Sequence, residues 1–238
     1  MAVSIDTVYQ RVLAFANKEQ RGYITPQDFN LFAGQVQMEI LEQYFYDINQ
    51  WGRAQGNSTE HSDMLSEINE KLAVFKATTT PLFNATAQVV TLPPALYKIG
   101  TVSHTRFGTN IGRVTFEELN YDEHMIRQAS PLTAPTLKRP YFVNQNGGLG
   151  LFAGSNLVAS EIGLSFIRKP HPPNWGYVVI NGKTLYNDNV SVDFELHSSE
   201  ESELIYRILA YAGISIQKPE LTQVASQALG SQIQQEKQ

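Results

Sequence analysis

The sequence predicts an α+β fold: a helical bundle, built from N-terminal helices plus a C-terminal helix, with an inserted antiparallel β-domain. Three observations predict it. Apolar residues recur at helical spacing before residue 77. From Thr78-Thr79-Thr80-Pro81 the chain turns to β-branched, aromatic and turn-forming residues. After residue 198 the helical period returns. The expected organisation is therefore an N-terminal bundle over 1–77, a β-domain with a short helix over 78–197, and C-terminal helices over 198–238 that pack back on the bundle.

The first helix is expected over 4–17, with Ile5, Val8, Val12 and Phe15 facing inward, and Gly22 breaks the pattern. Thr25 then offers an N-cap, Pro26 a first helical residue and Asp28 a negative charge near the positive helix end. Phe29, Phe32, Val36, Ile40, Tyr44 and Ile48 form one stripe down to Gly52, a helix of roughly 25 residues and about 37 Å. A third helix runs from Ser58 or Thr59 to Lys76 with Leu65, Ile68, Leu72 and Phe75 inside.

Strands are expected at Ala87–Leu92, Tyr97–Ser103, Ile111–Phe116, Arg139–Val143, Leu149–Phe152, Leu157–Ile167, Tyr177–Ile180 and Val190–His197, with a short helix over 117–130. Asn146-Gly147 and Asn181-Gly182 are hairpin-turn pairs. Ser198 and Glu201 form a capping box for a helix carrying Leu204, Ile205, Ile208, Leu209 and Tyr211, which Gly213 ends. Pro219 opens a weaker helix holding Leu221, Val224 and Ala228. The Gln-rich stretch from Ser231 to Gln238, with Ile233 its main apolar side chain, is expected to be disordered alone.

Composition narrows the partners. Charged residues make up 17% of the chain, below the about 25% usual for globular domains, and the net charge is −5. Few charges among many neutral polar and aromatic groups suit a surface covered by neighbours, and equally a monomer relying on neutral polar groups. Arg106, Arg113, Lys138, Arg139, Arg168 and Lys169 are scattered, so stable DNA binding is not expected, whereas DNA sliding past a neutral or acidic wall is compatible. The chain has no cysteine, which excludes disulfides, thiolate metal sites and Cys nucleophiles. The start, Met1 to Asp6, has no signal-peptide pattern, and no apolar run is long enough to span a bilayer.

No catalytic motif is legible along the chain. His61, His104, His124, His171 and His197 lie far apart, without metal-ligand spacing. Asp47-x-Asn49-x-Trp51-Gly52 begins like a calcium loop, yet Trp51 takes a ligand position and Ser58 stands where a bidentate Glu is needed. Gly147, Gly148, Gly150 and Gly154 fit turns, not a phosphate cradle. Glu117, Glu118, Asp122 and Glu123 read as a solvated helix face rather than an acid–base pair. The aromatics Phe142, Phe152, Phe166, Trp175 and Tyr177 read as core. No enzyme and no cofactor or metal is expected.

Several stretches in order resemble a family. Tyr9-x-x-Val12, then Asn17-Lys18-x-Gln20-x-Gly22-Tyr23-Ile24-x-Pro26-x-Asp28-Phe29-Asn30-x-Phe32-Ala33, is similar to the N-terminus of virion structural proteins of crAss-like and related short-tailed bacteriophages. Further matches are Pro135-Thr136-x-x-x-Pro140-Tyr141, Phe166-Ile167-Arg168-Lys169-Pro170-x-x-Pro173-x-Trp175, and Leu209-x-Tyr211-Ala212-Gly213-Ile214. The resemblance implies a head–tail connector adaptor, a ring protein stacked below the portal that carries the DNA channel into the tail. It implies twelve-fold rings of identical subunits, contacts with the portal and neighbouring tail proteins, a place in the virion and no catalytic residues. A tail-hub, tail-tube or cargo virion protein, a host-carbohydrate-binding module and a small-molecule-binding domain are the alternatives.

Two surfaces are expected to make contacts. The helix from Pro219, with Leu221, Val224 and Ile233, would dock on an adjacent subunit or the next ring, so that losing 219–238 leaves a folded subunit unable to enter particles. Pro170, Pro172 and Pro173 stiffen the segment before Trp175 and place it on an edge or loop, with Trp175 anchoring that loop, meeting a neighbour or sitting in its own core.

Overall fold

A computed structural model describes residues 3–17, 24–53, 59–105, 113–145, 147–154, 157–158, 161–215 and 219–236. The chain forms an α+β fold divided into two compact units: Met1–Val74 with Pro170–Gln238, and Phe75–Lys169. The β-unit is thus an insertion, but its limits differ from the expected 78–197. Residues 170–197 belong with the helices.

The helical unit contains α1 (Ile5–Asn17), α2 (Pro26–Arg53), α3 (Thr59–Ala73), α5 (Glu201–Ser215) and α6 (Pro219–Glu236). Thr25 caps α2 by accepting a hydrogen bond from the Asp28 amide at 3.2 Å, and its hydroxyl donates to the Asp28 carboxylate at 2.6 Å. On α2, Phe29, Val36, Ile40 and Tyr44 are buried, as their spacing requires. Helix α5 packs against α1, α2 and α6, and α3 packs against α2. Leu204, Ile205, Ile208 and Leu209 supply the α5 face of this core.

Three expectations for this unit change. Phe15 is 47% exposed, because Val8, Val12 and the buried Ala16 form the inward i+4 row of α1. Ser198 does not cap α5: Ser198–Glu200 is a turn of 3-10 helix whose Ser199 amide donates to His197 Nδ1 at 3.3 Å. Glu201 begins α5 and pairs with Arg11 at 2.9 Å. The polar C-terminal stretch is helical to Glu236, since Gln, Glu and Ser propagate a helix once Pro219 starts it.

The stretch Val190–His197 is not a strand. It makes single bridges, Val192 to Asn174 and Phe194 to Val3, and side chains supply or receive several of its other contacts. Asp193 accepts the Ile5 amide at 2.8 Å, Glu195 accepts the His171 amide at 2.9 Å, and Gln37 accepts the Glu195 amide at 3.0 Å. With Phe194 and Leu196 fully buried, these contacts tie 170–197 to α1 and α2.

The β-unit holds β1 (Lys76–Thr79), β2 (Phe83–Asn84), β3 (Val89–Thr91), β4 (Leu96–Thr105), β5 (Arg113–Thr115), β6 (Glu117–Leu119), α4 (Tyr121–Ala129), β7 (Tyr141–Gln145), β8 (Gly148–Phe152) and β9 (Ile162–Arg168). They form a four-stranded sheet in the order β1-β9-β4-β5 and a five-stranded sheet in the order β2-β3-β8-β7-β6. One core joins the sheets, with Val102, Ile162, Leu164 and Phe166 from the first and Val90, Phe142, Leu149 and Leu151 from the second. Strand β9 buries Ile162, Leu164 and Phe166 and leaves the residues between them half-exposed, the period of two expected of a half-buried strand.

Pairing is antiparallel except between β6 and β7, which run parallel. This corrects the helix expected over 117–130: Glu117–Leu119 is a strand, and the helix begins only after Asn120, which forms a capping box with Glu123. Helix α4 covers the outer side of β7, where buried His124 meets the Tyr141 hydroxyl at 3.1 Å and stacks 4.3 Å from Phe152.

Candidate assembly surface

The remaining two strands, β10 (Tyr177–Ile180) and β11 (Lys183–Tyr186), form a separate ribbon in the helical unit. Their turn is the predicted Asn181-Gly182 pair, with φ of 51° and 75°, the left-handed geometry of a tight hairpin turn. Antiparallel partners share a face and sides alternate along a strand. Val178, Leu185, Ile180 and Lys183 therefore lie on one face, and Tyr177, Tyr186, Val179 and Thr184 on the other.

A lone two-stranded ribbon is marginal in water. This one is held at its base by Trp175, which is 3% exposed. The Trp175 ring lies 4.3 Å from Tyr9, 6.0 Å from Tyr177 and 5.7 Å from Tyr186. Its Nε1 donates to Asp6 at 2.9 Å, and its amide donates to the Asn30 side chain at 2.7 Å. Gly176 completes the base, because a Cβ there would stand 2.4 Å from Val190 Cγ2. Trp175 is thus buried in its own unit and anchors the loop there, two of the places expected for it.

Beyond that base the ribbon is apolar and open. Val179 is 59% exposed, Ile180 52% and Leu185 50%, with Val178 also exposed. Exposed apolar side chains gathered on one projecting element mark a contact surface better than scattered ones do. The expected contact helix is less informative: Val224 on α6 is exposed and Ala225 buried, while the side chains of Pro219, Leu221 and Ile233 lie outside the described residues.

A second apolar patch lies on the β-unit. On α4, Tyr121, Met125 and Ile126 are exposed, and Leu132 follows, fully outside. Asp122 and Glu123 stand exposed in the first turn of the same helix.

A buried charge cluster, not anticipated from the sequence, joins α2, α3 and α5. Lys71 pairs with Glu200 at 2.8 Å, and Arg207 Nε donates to Glu203 at 2.7 Å. Arg207 also donates to Gln43, and the Tyr211 hydroxyl donates to Glu39. Burial pushes the Glu203 carboxyl up to about 7 against the lowering pull of Arg207. Glu203 and Arg207 are spaced i,i+4, the one sign in the sequence that could have revealed the pair. An open cleft of about 300 Å³ adjoins the cluster, with Ile40, Tyr44, Glu67 and Glu203 in its wall.

Three histidines bond within the fold: His124 meets Tyr141, His171 meets Glu195 at 2.9 Å, and His197 caps the turn before α5. His104 is buried against Phe116, with Nδ1 4.0 Å from Glu161. Among the described residues no group of three His, Asp or Glu could hold a metal ion, and no helix is long and apolar enough to cross a membrane. No family model matches the chain, and no curated protein matches it.

Proposed function

We propose that this chain is a virion structural subunit, a head–tail connector adaptor whose copies form a ring below the portal and line part of the DNA channel. The observation that carries the reading is the apolar β10–β11 ribbon, projecting from a base fixed by buried Trp175. A binding pocket would present concave, enclosed apolar surface. The ribbon instead leaves Val178, Val179, Ile180 and Leu185 about half exposed, an open apolar surface that suits packing against another chain. The ordered resemblance from Tyr9 to Ile214 supports a connector over other assembling proteins. A net charge of −5 suits a channel past which DNA slides without sticking.

The test is the mass of the purified chain by light scattering, alone and with the portal of the same phage. A ring, or a monomer that becomes one on the portal, is the expected result. A monomer indifferent to the portal at every salt concentration refutes the connector reading.

A further inference from the structure

Two exposed apolar surfaces on this chain differ in charge. The outer ribbon face combines Val178, Ile180 and Leu185 with the Lys183 ammonium at its tip. The α4 surface combines Tyr121, Met125 and Ile126 with the exposed carboxylates of Asp122 and Glu123. Asp122 and Ile126 are four residues apart, so the carboxylate sits one helical turn from the apolar residue. On the ribbon, Ile180 and Lys183 are direct cross-strand partners, which sets the cation beside an apolar residue in the same way.

We propose that the ribbon of one copy docks on α4 of the next copy, apolar face to apolar face, with Lys183 against Asp122 and Glu123. This rests on the reading of the chain as a self-assembling subunit and names the contact that assembly uses. Two different surfaces meeting in sequence make a heterologous interface, which propagates head to tail instead of stopping at a two-fold dimer and gives a ring where the rotation between copies closes. The charges fix register and exclude the ribbon–ribbon pairing that would bring two Lys183 side chains together.

The absence of native cysteine makes the test direct. Lys183→Cys and Asp122→Cys, both at exposed positions, are prepared as separate full-length proteins, mixed under assembling conditions and oxidised. A mixed disulfide, stronger than either protein forms with itself, is expected. In parallel, Lys183→Glu should weaken association about three-fold, the scale of an exposed ion pair, and adding Asp122→Lys should restore it. Rings that form without the mixed disulfide, or that link ribbon to ribbon, overturn this contact and leave the connector reading standing. Absence of any assembly, with or without the portal, overturns both.

Discussion

Replacing Trp175 separates an anchoring role from a contact role. The side chain is 3% exposed, touches three tyrosine rings and donates to Asp6 at 2.9 Å. Truncating a buried Trp to Ala costs about 3–5 kcal/mol, through lost burial and the cavity left behind. Trp175→Phe keeps most of the stacking and loses the hydrogen bond to a carboxylate, a cost of about 1.5–3 kcal/mol. The expected order of stability is wild type, then Trp175→Phe, then Trp175→Ala. Urea unfolding followed by far-ultraviolet circular dichroism measures it, since most helix lies in the unit that contains Trp175. Amide exchange across Val178–Leu185 should quicken in the same order, because the ribbon loses its base. A Trp175→Ala protein that melts like wild type, keeps its ribbon protected and still fails to assemble would refute the anchoring argument.

Ile180→Asp should leave the melting transition unchanged, because the side chain is half exposed, and should abolish ring formation by light scattering. Deleting 219–238 should leave a folded chain that no longer enters particles; among the described side chains of α6 only Ala225 is buried, so circular dichroism should show the other helices intact. The Glu203 carboxyl takes up its proton near 4.5 when unfolded and near 7 when folded, so the folded state binds more protons between those values. Stability from this group is therefore lost as pH rises from about 4.5 through about 7. Glu203→Gln should flatten that fall in urea midpoints taken at pH 5 and pH 8, and an identical fall in both proteins would exclude Glu203 as its source.

Long periodic elements were legible because their signal is local. The α2 stripe and the Asn181-Gly182 turn could be placed from spacing and backbone preference alone. Strand β6 could not, since its partner β7 begins 24 residues later and its acidic residues resemble a helix start. Residues 170–197 looked like β-domain by composition, yet Phe194 and Trp175 are buried in the helical unit, a tertiary fact no window of sequence contains. Of the candidate contacts, the stiff segment before Trp175 was legible, but the surface it supports is the ribbon beyond it. The Lys71–Glu200 pair joins residues 129 positions apart and leaves no periodic trace.

The ends of the β-unit meet. Lys76 is the register partner of Ile167, and the Arg168 amide donates to the Phe75 carbonyl at 2.9 Å. A segment of 95 residues, Phe75–Lys169, thus leaves and rejoins the helices through one pair of adjacent strands. The closure is made by the segment's own ladder, so the helices need only a short turn from Val74 to Pro170 to remain connected without it. The insertion is in this sense a cassette: its two junctions lie side by side on adjacent strands, while the ribbon and its anchor belong with the helices.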